Sequence, residues 1–208
     1  MRKSFKMIYF FNGNIRNMEV GIDEAGRGSF LGRIYAGAVI MGEENDEWVE
    51  GLNDSKKLSK KKREELYEMI IRNVFDYGVG YVEPWDIDKM GIGRANQLAM
   101  RRALDNLSAE VGYIKVDGIV FNGWNDVDYI CIPKGDTKEK DIMCGSIIAK
   151  VEHDRYINDL DDSLDVYDIK NNMGYGTLKH RNAIKEYGIT KYHRKSFLND
   201  YKGGFIDD

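Results

Sequence analysis

Residues 20–28, VGIDEAGRG, decide how this chain is read. The apolar start, VGI, reads as a buried strand that begins at Glu19. Asp23 and Glu24 stand where that strand ends, and Gly26-Arg27-Gly28 follows as a turn of low steric demand carrying one cation. A second apolar run, residues 34–41, begins after a link of only residues 25–33. A link that short suits a hairpin, so the two strands are expected to be antiparallel.

Farther along, strands and helices alternate. Ser59 is placed to cap a helix running through Arg72, with Leu66, Met69 and Ile70 as its apolar stripe. Residues 75–82 alternate as a third strand, ended by Pro84. Residues 86–107 have helical spacing, with Gly91 and Gly93 as a weak point. Residues 112–116 and 128–132 read as further strands, and residues 137–160 as a long helix built around GSIIAKV. Residues 178–187 read as another helix, followed by a basic tail, residues 191–195. A hairpin followed by strand–helix alternation predicts a mixed sheet with helices on its faces. In such sheets, sites lie beyond the carboxyl ends of strands, where Asp23-Glu24 and Asp117 both fall.

Composition narrows the class. With 208 residues, 42% hydrophobic and 32% charged, the chain fits one globular α/β domain rather than a disordered or membrane protein. The net charge of -4 gives no bulk attraction to nucleic acid, so any such contact depends on the local field of a groove. Cys131 and Cys144 lack metal-ligand spacing and read as buried thiols of a reducing cytoplasm. No window approaches a membrane span. The apolar run at residues 7–11 is too short for a signal core and reads as a frayed arm or an extra edge strand. No repeat or low-complexity linker divides the chain, so residues 1–18 are expected to form an arm and residues 19–208 a single domain.

Carboxylates recur where the chemistry needs them. Asp117 follows YIKV, and Asp136 closes PKGD between the fifth strand and the long helix. In-line hydrolysis of a phosphodiester gains from two hard cations ~4 Å apart, held by carboxylates converging from different elements. Mg²⁺ takes oxygen ligands and keeps waters, so Asp23, Glu24, Asp117 and Asp136 could serve without His or Cys. Each has a plainer reading. Asp136 is equally placed to cap the helix, Asp117-Gly118 to form a turn, and Asp23-Glu24 to be a surface pair.

Other positions point toward phosphate and sugar. The basic run DSKKLSKKK offers Lys56 or Lys57 for phosphate contact, or is simply a solvated helix start. Ser146 and Lys150 share a helix face, suiting either a backbone phosphate or a surface pair. Tyr175 stands between glycines in GYGT, either exposed for stacking on a sugar or base or packed as an ordinary tyrosine. His153, His180 and His193 show no shared ligand spacing.

Taken together, GIDEAGRG, DSKKLS, VDG, KGD, the SIIAKV helix, GYGT with a following His, and HRKSF resemble the ribonuclease HII (type 2 ribonuclease H) family in order and spacing, from about Glu19 to Phe197. The resemblance implies an α/β, RNase H-like fold: a five-stranded mixed sheet flanked by helices, with a helical C-terminal part. It implies a monomeric cytoplasmic endoribonuclease dependent on Mg²⁺ or Mn²⁺. Its substrates would be the RNA strand of RNA–DNA hybrids and DNA duplexes containing single ribonucleotides, nicked on the 5′ side to leave 3′-hydroxyl and 5′-phosphate ends, in the service of DNA replication and repair. Asp23, Glu24, Asp117 and Asp136 match the family's catalytic, metal-holding carboxylates. Gly26, Arg27 and Gly28 match the turn that senses the ribose 2′-hydroxyl, and Tyr175 the tyrosine that meets the following deoxyribose. Lys56, Ser146 and Lys150 are expected on the substrate-binding side. The alternatives are a non-catalytic nucleic-acid binder of this fold and a related metal nuclease acting on branched DNA.

The chain departs from the family pattern at several places. Ser29 and Arg33 stand where prolines are usual, Cys144-Gly145 where Ala-Ala is usual, His153 where Arg is usual, and Ile119 where Asn is common. Gly145 is expected to weaken the start of the long helix and Arg33 to alter the turn beside the site.

Overall fold

Strand β1, Glu19–Ala25, is the middle strand of a five-stranded sheet. The computed structural model describes residues 10–11, 14–15, 18–42, 47–52, 55 and 58–198. Along the chain come β2 (Ile34–Ile40), α1 (Lys60–Asn73), β3 (Asp76–Val82), α2 (Pro84–Met90), α3 (Ile92–Asp105), β4 (Tyr113–Asp117), β5 (Asp128–Ile132) and α4 (Lys140–Asn158), then α5 (Ile169–Asn172) and α6 (Leu178–Tyr187). The spatial order is β3-β2-β1-β4-β5. Strand β2 pairs antiparallel with both β1 and β3, and β4 and β5 run parallel to β1. The expected mixed sheet, the hairpin and the helical C-terminal part are all present.

Local chemistry explains the boundaries. The Ser59 hydroxyl accepts the Lys62 N–H and starts α1. Pro84 ends β3 by taking the first turn of α2, where its missing N–H costs nothing. The expected 86–107 helix breaks at Gly91 (φ +80°), whereas Gly93 lies inside α3. The expected 137–160 helix starts later, at Lys140, because residues 135–137 form a separate 3₁₀ turn. Short helices at Asp162–Tyr167 and Ile169–Asn172 carry no strong periodicity and were not expected. Phe10–Phe11 pairs with Asn14–Ile15 in its own ribbon, not as an edge of the main sheet.

Alternation along the strands sorts the core into two faces. Val20 and Ile22 of β1, Ile34, Ala36, Ala38 and Ile40 of β2, and Ile114 and Val116 of β4 pack with α3. Val39 packs on the other face with Leu66 and Ile70 of α1 and Ile147, Ile148 and Val151 of α4. Burying each of the Val, Leu and Ile side chains stabilises by roughly 1.5–3 kcal/mol. In α1, Tyr67 rather than Met69 completes the stripe. Cys144 is buried as expected, but Cys131, on the edge strand, is only half-buried.

Gly145 lies inside α4 and lets the helix lie close on the sheet. A Cβ there would stand 2.6 Å from the Gly37 carbonyl oxygen, and one on Gly37 would stand 2.4 Å from the Gly145 oxygen. Ala in place of Gly145 would have to push the helix off β2, which shows why the smaller residue suits this chain.

The C-terminal part has its own core, including Leu31, Ile157, Leu164, Tyr167, Ala183 and Ile184. In the basic run at residues 191–195, Lys191 and Lys195 are exposed but His193 and Arg194 turn inward. Arg194 is fully buried, and its guanidinium donates to the carbonyls of Gly32 (2.9 Å) and Arg27 (3.1 Å). His193 and His180 are also buried, with their Nε2 atoms 3.1 Å apart. Their partners fix the tautomers. The Thr190 N–H donates to His193 Nδ1, so His193 donates through Nε2; His180 accepts there and donates through Nδ1 to the Tyr175 carbonyl. Burial pushes both imidazoles below their ordinary range, His193 to about 3, with the neighbouring His180 adding to that shift.

A histidine held neutral by folding stabilises fully above its unfolded pKa of about 6.5 and loses that contribution as pH falls toward the folded value. The wild type should therefore lose stability relative to His193→Asn below pH ~6.5, by up to about 1.4 kcal/mol per pH unit. Chemical denaturation at pH 7 and pH 5 checks this; a pH-independent difference would contradict the neutral pair.

Candidate active site

Asp23 and Asp117 become neighbours because β1 and β4 are adjacent and parallel, with Ile22 opposite Val116. Both lie on the α4 side of the sheet, near its carboxyl edge. Asp136 arrives from the 3₁₀ turn Gly135–Thr137, entered through Lys134 in a left-handed conformation (φ +58°). One carboxylate oxygen from each of the three lies within 4.8 Å of the other two. Asp117 Oδ1 accepts the Gly135 N–H at 2.6 Å and the Asp136 N–H at 3.4 Å, fastening the turn to the strand. Asp136 is not the cap of α4, whose N-cap position is Glu139.

Electrostatic crowding marks this cluster. Burial first, then the charges of Glu24 and Asp117, hold the Asp23 carboxyl well above its ordinary range. The Ser146 hydroxyl and the Glu24 N–H, 2.7 Å from Asp23 Oδ1, oppose this without outweighing it. Ser146 is neither on the surface nor paired with Lys150. It is buried in α4, bonded to Asp23, with Ser55 Oγ 2.9 Å from its own Oγ.

Glu24 lies outside the three-carboxylate cluster. Successive strand residues face opposite sides, which sends Glu24 toward α3. There burial raises its pKa, while Arg27 and the Asn96 side chain pull the other way. The Arg27 guanidinium is 3.5 Å from Glu24 and mostly exposed.

The donor set suits a hard divalent cation. It is all oxygen, comes from three separate elements, and carries more negative charge than its burial tolerates. A bound cation would reverse the upward shift at Asp23.

Beside the carboxylates stands the glycine turn. Gly26 has φ +81°, and a Cβ there would meet the His153 ring at 2.4 Å. Gly28 faces Tyr175, whose ring would lie 3.7 Å from an added Cβ. Ser29 and Tyr175 form an antiparallel bridge, and Phe30 N–H donates to the Gly174 carbonyl at 2.8 Å. Tyr175 is 37% exposed, with Lys150 Nζ 5.6 Å from its ring centroid. Lys150 also pairs with Asp154 at 2.7 Å. The Arg33 backbone carbonyl lies against Gly26, but its side chain is engaged elsewhere. It donates twice to Glu83 and lies between the rings of Tyr81 and Tyr156, at 4.2 and 4.4 Å. Lys56 and Lys57 lie outside the described residues. Ile119, just past Asp117, is exposed.

Reading the sequence missed Asn96, Ser55, His153 and Arg194 as supports of this site. Asn96 left a usable signal, a polar residue on the buried stripe of Ala95, Ala99 and Ala103 in α3. Ser55 and Arg194 left only their places in the DSKKLS and HRKSF motifs, which gave no sign that they are buried.

A sheet of this order with aspartates converging at its parallel strand ends defines a metal-dependent hydrolase of the RNase H-like fold. The ribonuclease HII family profile matches residues 20–200. Ribonuclease HII of Bacteroides thetaiotaomicron is 44% identical over 180 residues, 86% of this chain and 89% of that protein. The crystal structure of ribonuclease H2 from Pyrococcus horikoshii superposes with a TM-score of 0.70 at 25% identity, covering 89% of this chain and 99% of that one. The ribonuclease HII of the PCNA complex from Archaeoglobus fulgidus gives the same TM-score and identity over 91% of this chain and 99% of its own. The chain belongs to the ribonuclease HII family, whose members are metal-dependent endoribonucleases acting on RNA–DNA hybrids. No helix among the described residues is long and apolar enough to cross a membrane.

Mg²⁺ or Mn²⁺ at a hundred times its dissociation constant should raise stability by about 2.7 kcal/mol. Asp117→Asn keeps the acceptor for Gly135 but removes a charge, so the metal-free variant should be at least as stable and the metal-induced rise in Tm should largely vanish. Thermal denaturation with and without chelator measures both. An undiminished rise would take Asp117 out of the cation site.

Proposed function

We propose that this enzyme cuts the RNA strand of hybrids and also nicks duplex DNA on the 5′ side of single embedded ribonucleotides. The nick leaves 3′-hydroxyl and 5′-phosphate ends and serves ribonucleotide removal during replication and repair. The observation that carries this reading is the placement of the Gly26–Gly28 turn and Tyr175 together, next to the converging carboxylates.

Asp23, Asp117 and Asp136 would hold the Mg²⁺ or Mn²⁺, with Glu24 approaching from the other side of the strand end. Divalent cations, when bound, neutralise charge on the phosphodiester and its attacking and leaving oxygens. The protein's own groups orient the substrate. The glycine turn brings backbone within reach of a sugar 2′-hydroxyl, the group that separates RNA from DNA. Tyr175 offers its ring to the next sugar, with Lys150 beside it for the phosphate. Arg27 projects into solvent from the turn, and Lys56 is assigned to a phosphate farther along the strand. Ser146 holds the Asp23 carboxylate in place. We assign residues 19–208 to a single catalytic domain with residues 1–18 as an arm. We assign the protein to the cytoplasm, a compartment its free cysteines suit, and take it to act as a monomer.

A DNA duplex with one ribonucleotide, incubated with Mg²⁺, Mn²⁺ or chelator, tests the reading. Cleavage on the 5′ side in either metal and none in chelator is expected; cleavage of long hybrid alone would remove the single-ribonucleotide activity. Asp23→Asn should lower the rate by on the order of a hundredfold or more. Tyr175→Ala should cost about five- to a hundredfold on the single-ribonucleotide duplex and less on a long hybrid. Equal losses on both would argue against a role at the RNA–DNA junction.

A further inference from the structure

His153 stands where the family's Arg is usual, and Ser29 where its proline is usual; the structure brings the two together. Ser29 Oγ lies 3.4 Å from His153 Nε2, and His153 Nδ1 lies 3.1 Å from Asp154 Oδ1. An ionised Asp154 only accepts, so His153 donates to it through Nδ1, and the Ser29 hydroxyl donates to Nε2. Burial works against charge on Asp154, but hydrogen bonds from His153 and Lys150 prevail and hold its pKa below the ordinary range. Burial likewise favours the neutral imidazole.

The connectivity is that of a serine-nucleophile triad, but it cannot act as one. Ser29 and His153 are both fully buried, so no substrate atom reaches the hydroxyl. The contacts of this unit point elsewhere. The His153 ring lies directly under Gly26. Ser29 closes the turn by donating its N–H to the Gly26 carbonyl, 3.2 Å away, and bridges to Tyr175 on its other side. The His153 and Tyr175 ring centroids are 6.2 Å apart. The turn and the tyrosine are thus both held against one imidazole.

We propose that His153 and Ser29 form a buried clamp that fixes the Gly26–Gly28 turn against Tyr175, making His153 a positioning residue for discrimination between ribose and deoxyribose. The inference rests on the reading above that this turn senses the sugar. The clamp also reaches the carboxylates. Asp154 pairs with Arg63 at 3.5 Å, Arg63 donates to the Ser55 carbonyl at 2.9 Å, and Ser55 meets Ser146, which bonds Asp23. One polar network therefore ties the sugar turn to the metal-holding edge of the sheet.

The test measures binding, in chelator, of a duplex with one ribonucleotide and of the same duplex in all-DNA form; the ratio of the two Kd values reports discrimination without turnover. Ser29→Ala removes only a hydroxyl, and His153→Gln keeps an acceptor for it, so folding is preserved and checked by Tm. Ser29→Ala and His153→Ala should each lower the ratio by about three- to tenfold, the size of one buried hydrogen bond. The double variant should fall no further than His153→Ala, and His153→Gln should retain more of the ratio than His153→Ala. Unchanged ratios in folded variants, additive losses, or equal ratios for His153→Gln and His153→Ala would overturn the clamp. If the wild type itself shows no preference for the ribonucleotide duplex, the sugar-sensing reading fails and the clamp with it; if the wild type discriminates and the variants do too, the clamp alone fails.

Discussion

Three carboxylates within 4.8 Å of one another set the constraint to which the rest of this structure answers. At an effective dielectric of about 20, two unit charges at that distance repel by about 3.5 kcal/mol. Side chains free to move would separate. Here each is held by a separate element. Asp23 is anchored by Ser146 and the Glu24 N–H, Asp117 by the Gly135 N–H, and Asp136 by a turn fastened to Asp117. The upward shift at Asp23 comes from burial first and from the charges of Glu24 and Asp117 second, and a bound divalent cation would relieve it.

Helix α4 carries much of this burden. Its approach to the sheet depends on Gly37 and Gly145, where neither side tolerates a Cβ. At that distance Ser146 reaches Asp23, and two turns on, His153 reaches Gly26 and Ser29. The same helix thus spaces the three converging carboxylates from the glycine turn. The departures from the family pattern on and around it form a self-consistent set. Gly145 closes the packing, Ser29 meets His153, and Arg33 is taken up by Glu83, Tyr81 and Tyr156 away from the turn.

The C-terminal part secures the other side of the turn. Arg194, buried, donates to the carbonyls of Arg27 and Gly32, and its own N–H donates to the Phe30 carbonyl at 2.8 Å. The His193–His180 pair ends on the Tyr175 carbonyl. The Gly26–Gly28 turn and Tyr175 are therefore supported from two cores at once, that of the sheet through His153 and that of the helical part through Arg194 and His180.

Strand and helix positions were legible because they follow from periodicity and punctuation close together in the chain. The hairpin of β1 and β2, the Ser59 cap, the Gly91 break and the carboxylates at strand ends all belong to that kind of information. The motifs likewise marked Asp23, Glu24, Asp117 and Asp136 as members of one set. What periodicity cannot carry is which face a residue meets across the fold. It could not separate Asp23 from Glu24, which alternation sends to opposite sides, nor tell the buried Arg194 and Ser146 from solvated polar residues. By itself, then, the sequence determined the order of elements, the supply of acidic and glycine positions, and the family. Tertiary structure alone decided which carboxylates converge and which buried partners hold the turn, because those contacts join residues far apart in the chain and depend on how closely α4 lies on the sheet.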